Sequence, residues 1–233
     1  MVKKNINIAV ICARKNSKRI KNKNFLFIEK KRRVIDFTIN AALKSKIFDQ
    51  IIINTDKKNF YLRNKFNKVK IYQRPSKLGK SRVRVLDVIK EMIKKENISS
   101  NANLWALFPT CILRNYKDIR NVYSIYKKHK MSKQVVSMTE YMPAIHVAFD
   151  IKKGKLKNAF IKEYNKLPGN HSHKKFYYVN YGIIVMKSKQ YIKSKKLINE
   201  GSIPYIMPQE RSIDIDENFQ LELAKKIISY EKI

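Results

Sequence analysis

The sequence predicts an α/β fold: a mostly parallel sheet with helices on both faces. Three observations predict it. From the N-terminus to about residue 140, apolar β-branched runs alternate with segments of helical periodicity, the rhythm of successive βαβ units. The strand-like runs are continuously apolar, as strands covered on both faces are. Polar residues then collect directly after those runs, and ligands of open parallel sheets bind beyond the carboxyl ends of the strands.

Each element follows from its own pattern. NIAVICA (7–13) reads as the first buried strand. Its charged start resembles a leader, but the apolar run is short and ends at Arg14. VIDFTINAALKSK (34–46) has helical spacing, QIIINTD (50–56) is a second strand, 57–66 reads as a helix and VKIYQ (69–73) as a third strand. Pro75 forces a loop before the helical stretch 83–95. NLWALFPT (103–110) is a fourth strand, 116–130 an amphipathic helix and KQVVSMT (133–139) a fifth strand. The stretch from about 140 to 180 breaks the rhythm. It is mixed and rich in Tyr, Lys and His, which suits a β-hairpin arm or an oligomer contact. YYVNYGIIVMK (177–187) and PYIMP (204–208) return as strands, and 217–231 closes the chain as a helix with Asp216 placed as its N-cap. No repeat or linker divides the 233 residues, so 1–233 reads as one domain.

Composition narrows the chemistry. Hydrophobic residues make up 44%, enough for a core, while 52 basic against 18 acidic residues give a net charge of +34. Such a charge attracts polyanions. Yet Lys far outnumbers Arg, Asn and Ile are abundant, and the basic residues run through the whole chain. That is the mark of AT-rich coding, whereas a nucleic-acid footprint is a patch or stripe. Cys12 and Cys111 each lie in or beside an apolar run and read as reduced core thiols. No stretch has the length of a membrane-spanning helix, and a soluble cytoplasmic protein is the expectation.

Five motifs carry chemistry. The loop ARKNSKRIKNKN (13–24) follows the first strand and gathers Arg14, Asn16, Ser17, Lys18, Arg19, Lys23 and Asn24. Forked and point-charge donors of this kind can wrap a triphosphate, although a solvated basic loop has the same composition. It is not a Walker loop. SIDID (212–216) places Asp214 and Asp216 on one face of an extended segment, a pairing that suits Mg²⁺ and equally suits a strand end with a helix cap. NTD (54–56), Arg74–Pro75 and FPTCILR (108–114) each follow a predicted strand.

In that order the motifs resemble the acylneuraminate cytidylyltransferases, the CMP-sialic acid synthetases. CARKNSKR with Lys23–Asn24, INAALKSKIFD (39–49), NTD, RPSKL (74–78), FPTCILR and SIDID all follow the family's spelling closely. The resemblance implies a Rossmann-like domain of the nucleotide-diphospho-sugar transferase type with a small dimerisation arm. It implies CTP and a sialic-acid-like nonulosonic acid as substrates. Arg14, Ser17, Lys18 and Asn24 would hold the CTP phosphates and ribose, and Arg74 would lie near the nucleotide. Arg114 would help build the strand-end wall, Asn16, Lys23 and Thr110 are further candidate substrate-binding residues, and Asp214 and Asp216 would bind Mg²⁺. It also implies a homodimer whose arm reaches the partner's site.

The sugar side departs from the family. Phe108 replaces a Gln, and Ser81–Arg82–Val83–Arg84 replaces a DTAS stretch. Ile145 stands for a Lys, Asn170 and His171 for an Arg-Gln pair, Tyr181 for a Gly and Gln220 for an acid. His146, His173, Lys174 and Lys175 are the replacements available for a sugar carboxylate, with Phe108 against an apolar part of a modified sugar. Two alternatives stay open: a transferase for the eight-carbon acid Kdo, and a basic nucleic-acid-binding protein on a degenerate transferase fold.

Overall fold

A computed structural model describes residues 6–29, 31–62, 66–143, 145–160 and 174–231. Its centre is a seven-stranded sheet of order β3-β2-β1-β4-β8-β5-β9. The strands are β1 (Asn7–Cys12), β2 (Gln50–Thr55), β3 (Val69–Gln73), β4 (Asn103–Leu107), β5 (Val135–Glu140), β8 (Tyr177–Lys187) and β9 (Ile203–Ile206). Pairs β3–β2, β2–β1, β1–β4 and β5–β9 are parallel, and β8 runs antiparallel between β4 and β5. The remaining strands, β6 (Phe149–Lys152) and β7 (Lys155–Asn158), form a separate hairpin. It falls in the stretch read as an arm.

Strand alternation divides the core between two faces. Ala9, Ile11, Ile51, Ile53, Trp105 and Leu107 face α1 (Val34–Ser45) and α3 (Tyr116–Lys128). Ile8, Val10, Ile52, Leu104 and Ala106 face α2 (Val85–Lys95) and the short α4 (Ser188–Lys193). The last helix, α5 (Asn218–Glu231), packs Leu221, Ala224 and Ile228 on Val34, Phe37 and Ile112. It thereby draws the C-terminal region onto the loop after β1.

Two sequence expectations are corrected. The described residues of 57–66 form turns, not a helix. Asn59 takes a left-handed backbone (φ 57°), and Phe60 turns inward to meet Phe25 at 5.2 Å between ring centroids, so tertiary packing overrides the local pattern. Asp216 does not cap the final helix. The Gln220 side chain reaches back instead, accepting from the Asp216 and Glu217 amides at 3.3 and 2.6 Å, which leaves Asp216 free for other partners.

The start of α3 is tied to the segment before the final helix through one carboxylate. Asp118 is fully buried. It accepts from the Asn115 amide (3.0 Å), the Tyr205 hydroxyl (2.8 Å), and Arg211 Nε and Nη2 (3.1 and 2.9 Å). Arg211 sits immediately before the SIDID run. Removing one partner of a buried pair costs about 3–5 kcal/mol, so Arg211→Ala should lower the urea midpoint substantially at unchanged slope. A variant as stable as the wild type would show that this pair does not anchor the segment.

Candidate active site

The loops after the carboxyl ends of β1, β3 and β4 meet the 212–216 segment around one open cleft of about 320 Å³. Arg14, Ser17, Lys23 and Asn24 come from the first loop, and Arg74 from the third. Phe108 and Thr110 come from the fourth strand's end, and Asp214 and Asp216 from the late segment. All were named by sequence, and the fold brings them together although 200 residues separate Arg14 from Asp214. A second, wider basin of about 710 Å³ adjoins it, sharing Arg14 and Ser17 and adding Asn16 and Lys18.

Each part is held by specific contacts. Asn24 is buried and donates its side-chain amide to the Arg14 carbonyl at 3.0 Å, which closes the 13–24 loop on itself. Asp56, from NTD, accepts from the Lys15 amide at 2.6 Å. Gly79 permits this, because a Cβ there would lie 2.1 Å from Asp56 Oδ2. Arg74 is buried and donates to the Asn54 carbonyl at 2.6 Å. The SIDID run is not a strand. It is clamped from three sides: the Ile215 amide donates to the Thr110 carbonyl at 3.0 Å, Ser212 Oγ accepts from Asn180 Nδ2 at 2.8 Å, and Lys23 Nζ donates to the Ile215 carbonyl.

The two carboxylates differ. Asp216 binds Lys23 at 2.8 Å and Arg19 at 2.8 Å. Burial pushes its carboxyl up, but the Lys23 ammonium and Arg19 guanidinium outweigh that and hold it below the ordinary Asp range. Asp214 is pushed up: burial dominates, the Asp216 charge adds to it, and a Thr110 hydrogen bond with the more distant Lys23 and Arg19 charges only partly offsets it. Its Oδ1 is buried with no hydrogen-bond partner among the described residues. A buried carboxylate oxygen without a donor, on a residue that lines the cleft, fits a cation. Among the described residues no group of three or more His, Cys, Asp or Glu could hold a metal by itself. A hard cation here would therefore complete its shell with phosphate oxygens and water, as Mg²⁺ commonly does.

Two residues named by sequence sit elsewhere. Arg114 is fully buried and lines neither cleft. It donates to the Phe108 and Gly182 carbonyls at 3.3 and 2.8 Å and to Thr38 Oγ1 at 2.7 Å, so it props the strand-end wall from behind. His146 is buried edge-on to Phe176 at 5.1 Å and also lines neither cleft. Lys174 lies over the Phe176 ring and Lys175 pairs with Glu140 at 3.0 Å. Asn170, His171 and His173 fall outside the described residues. Conversely, Lys80 lines both clefts and Cys12 lines the first, neither singled out by sequence for a site. Only their places, Cys12 at the carboxyl end of β1 and Lys80 in the loop after β3, could have marked them. Burial raises the Cys12 thiol to about 11 against the opposing Arg74 charge, so it serves as a neutral wall. Phe108 and Tyr181 meet edge-on at 5.5 Å beside it.

A family model described as Cytidylyltransferase matches residues 8–227. The N-acylneuraminate cytidylyltransferase of Escherichia coli O18:K1:H7 is 28% identical over 218 residues, 93% of this chain and 51% of that protein. The pseudaminic acid cytidylyltransferase of Campylobacter jejuni serotype O:2 is 24% identical over 225 residues, 94% of each. The chain thus spans about half the length of the Escherichia coli relative. Among solved structures, a CMP:2-keto-3-deoxy-manno-octonic acid synthetase complexed with CTP superposes with a TM-score of 0.65 at 12% identity, covering 97% of this chain and 99% of that one. A 4-diphosphocytidyl-2C-methyl-D-erythritol synthase gives a TM-score of 0.67 at 8% identity with the same coverage. At these identities the structural likeness speaks for the fold.

The opposite shifts of the two acids give opposite pH signatures. Asp214, raised, holds its proton more tightly in the folded state, so its contribution is favourable below the ordinary Asp range and is lost as pH rises through its folded value. Asp216, lowered, contributes stability above that range and loses it as pH falls through its folded value. Asp214→Asn should therefore melt no lower than the wild type at neutral pH, with any gain vanishing in acid, while Asp216→Asn should melt lower at neutral pH. Melting curves of both variants across the acid range check this, and a clear neutral-pH loss for Asp214→Asn would contradict it.

Proposed function

The chain belongs to the cytidylyltransferase family, and from that premise we propose that it transfers CMP from CTP to the anomeric hydroxyl of a sialic-acid-like nonulosonic acid, releasing pyrophosphate. One observation carries the reading: a single cleft holds Arg14, Ser17, Lys23, Asn24 and Arg74 against Asp214 and Asp216. Cationic donors and paired carboxylates in one place suit a nucleoside triphosphate. The nonulosonic acid is supported by the relatives named for N-acylneuraminate and pseudaminic acid.

In this reading the anomeric oxygen bonds to the α-phosphorus. The bond from that phosphorus to the bridging oxygen breaks, the electron pair leaves on pyrophosphate, and the hydroxyl proton passes to water. Catalysis is then positioning and electrostatic stabilisation. Arg14 and Lys18 neutralise the triphosphate. Lys23 orients the Asp216 carboxylate through the 2.8 Å contact. Asp214 and Asp216 are the residues that would hold Mg²⁺, whose chemistry when bound is polarisation of phosphate oxygens. Phe108 and Tyr181 give the sugar end an apolar wall, which favours a deoxygenated or differently acylated nonulosonate. The hairpin arm, with Ile151 and Leu156 exposed, supports a homodimer. Among the described residues no helix is long and apolar enough to cross a membrane, in keeping with a cytoplasmic enzyme that draws on the CTP pool.

A pyrophosphate-release assay with CTP and a panel of sugar acids tests the reading directly. CTP should raise the melting temperature more than ATP, GTP or UTP, since a ligand of the folded state stabilises it in proportion to its affinity. Equal shifts for all four would point to a non-specific polyanion site. Asp214→Asn and Asp216→Asn should each lower kcat roughly 100-fold or more while the fold is kept. The wild type should favour a deoxygenated nonulosonate over N-acetylneuraminate, with Phe108→Gln narrowing the gap. A wild type that prefers N-acetylneuraminate, with Phe108→Gln changing nothing, would remove Phe108 from specificity.

A further inference from the structure

The wider basin is built differently from the cleft it adjoins. Arg14, Lys15, Lys18, Lys58, Lys80 and Arg82 line it, and Asp56 is its acid. That acid is already engaged by the Lys15 amide at 2.6 Å. Asp214 and Asp216 line only the neighbouring cleft.

The two arginines of the basin are also unusual in lacking partners. Among the described residues, the other arginines are all engaged. Arg19, Arg32, Arg33, Arg84 and Arg211 bind carboxylates, and Arg74, Arg114 and Arg120 bind backbone carbonyls. Arg14 and Arg82 have no ion pair or side-chain hydrogen bond there, and both line this one basin. A free guanidinium is the strongest bidentate donor for phosphate oxygens. Two in one concavity, with four lysines and no unengaged acid, form a site for a compact polyanion.

Topology places the basin. The strands β3, β2 and β1 are consecutive and parallel, so their carboxyl ends open on the same side. The loop after β1 supplies Arg14, Lys15 and Lys18, the loop after β2 supplies Lys58, and the loop after β3 supplies Lys80 and Arg82. The two carboxylates lie toward β4, where Thr110 holds their segment. A chain of phosphates that starts beside Asp214 and Asp216 and passes Arg14 and Ser17, which line both clefts, runs into the basin.

We propose that Lys58, Lys80 and Arg82 form a second bank that, facing the 13–24 loop, binds the diphosphate end of the nucleoside triphosphate and holds it as the leaving group. The assignment rests on the cytidylyltransferase reading for its place in the reaction, though not for the binding itself. When the bond between the α-phosphorus and the bridging oxygen breaks, the electron pair stays on that oxygen, and the departing pyrophosphate gains one negative charge. The free cations of the basin meet that charge where it develops. The basin thereby also becomes the seat of product inhibition by pyrophosphate.

Calorimetry on the full chain tests this without turnover, using pyrophosphate, tripolyphosphate, inorganic phosphate and CMP as probes. Wild type should bind pyrophosphate and tripolyphosphate well above inorganic phosphate. Arg82→Ala and Lys58→Ala, at two cations that line only the basin, should each weaken pyrophosphate about tenfold, the size of one charge-assisted phosphate contact, and leave CMP unchanged. Lys94→Ala with Lys95→Ala, two exposed cations on α2, is the control for net charge and should change neither. The proposal is overturned if pyrophosphate binds the basin variants as it binds the wild type, if the control weakens it equally, or if CMP weakens in parallel. If pyrophosphate binding falls as expected but no sugar acid turns over with CTP, the basin stands and the proposed reaction does not. Turnover with an unchanged pyrophosphate inhibition constant in Arg82→Ala would overturn the basin and leave the reaction standing.

Discussion

A charge held in the interior organises this molecule. Asp118 has no solvent to stabilise it, and an unpaired carboxylate there would cost several kcal/mol. Its compensation comes from three parts of the chain: the cap of α3, Tyr205 on β9, and Arg211 just before the acidic run. Because each donor must be in place at once, the segment carrying Asp214 and Asp216 is delivered to the carboxyl ends of the strands as a consequence of satisfying Asp118. Arg114 plays the same part on the other side of the strand end, where its buried guanidinium fixes the Phe108 and Gly182 carbonyls. The site's walls are thus set by buried polar groups that never touch the cleft.

The net charge of +34 looks undirected along the sequence. In the fold it acquires direction, because most described arginines are neutralised by carboxylates or turned onto carbonyls. What remains unbalanced near the strand ends is concave and borders the two acids. An overall positive field speeds the approach of small anions, and it does so less at high salt. The local imbalance decides where they stop.

Much of this was legible in the sequence for a physical reason. Continuous apolar runs and 3.6-residue periodicity report burial directly, so β1, β2, β3, β4, α1, α2 and α3 fall within a few residues of their expected places. The motif order marked Arg14, Ser17, Lys23, Asn24, Arg74, Asp214 and Asp216, and all seven line one cleft. The hairpin of β6 and β7 lies within the stretch whose broken rhythm suggested an arm.

Only the tertiary structure decided the direction of long side chains and the partners across loops. Arg114 and Arg82 each follow a predicted strand in the sequence, yet one is drawn into the core by three acceptors and the other is left bare in a basin. The described residues of the expected helix over 57–66 are turn and loop, with Phe60 against Phe25, and the expected cap Asp216 went to Lys23 and Arg19 while Gln220 took the capping role. His146 turned to Phe176. Periodicity fixes which face of an element is buried. Which acceptor a guanidinium or carboxylate reaches depends on distances between elements far apart in the chain, and those exist only once the sheet has assembled.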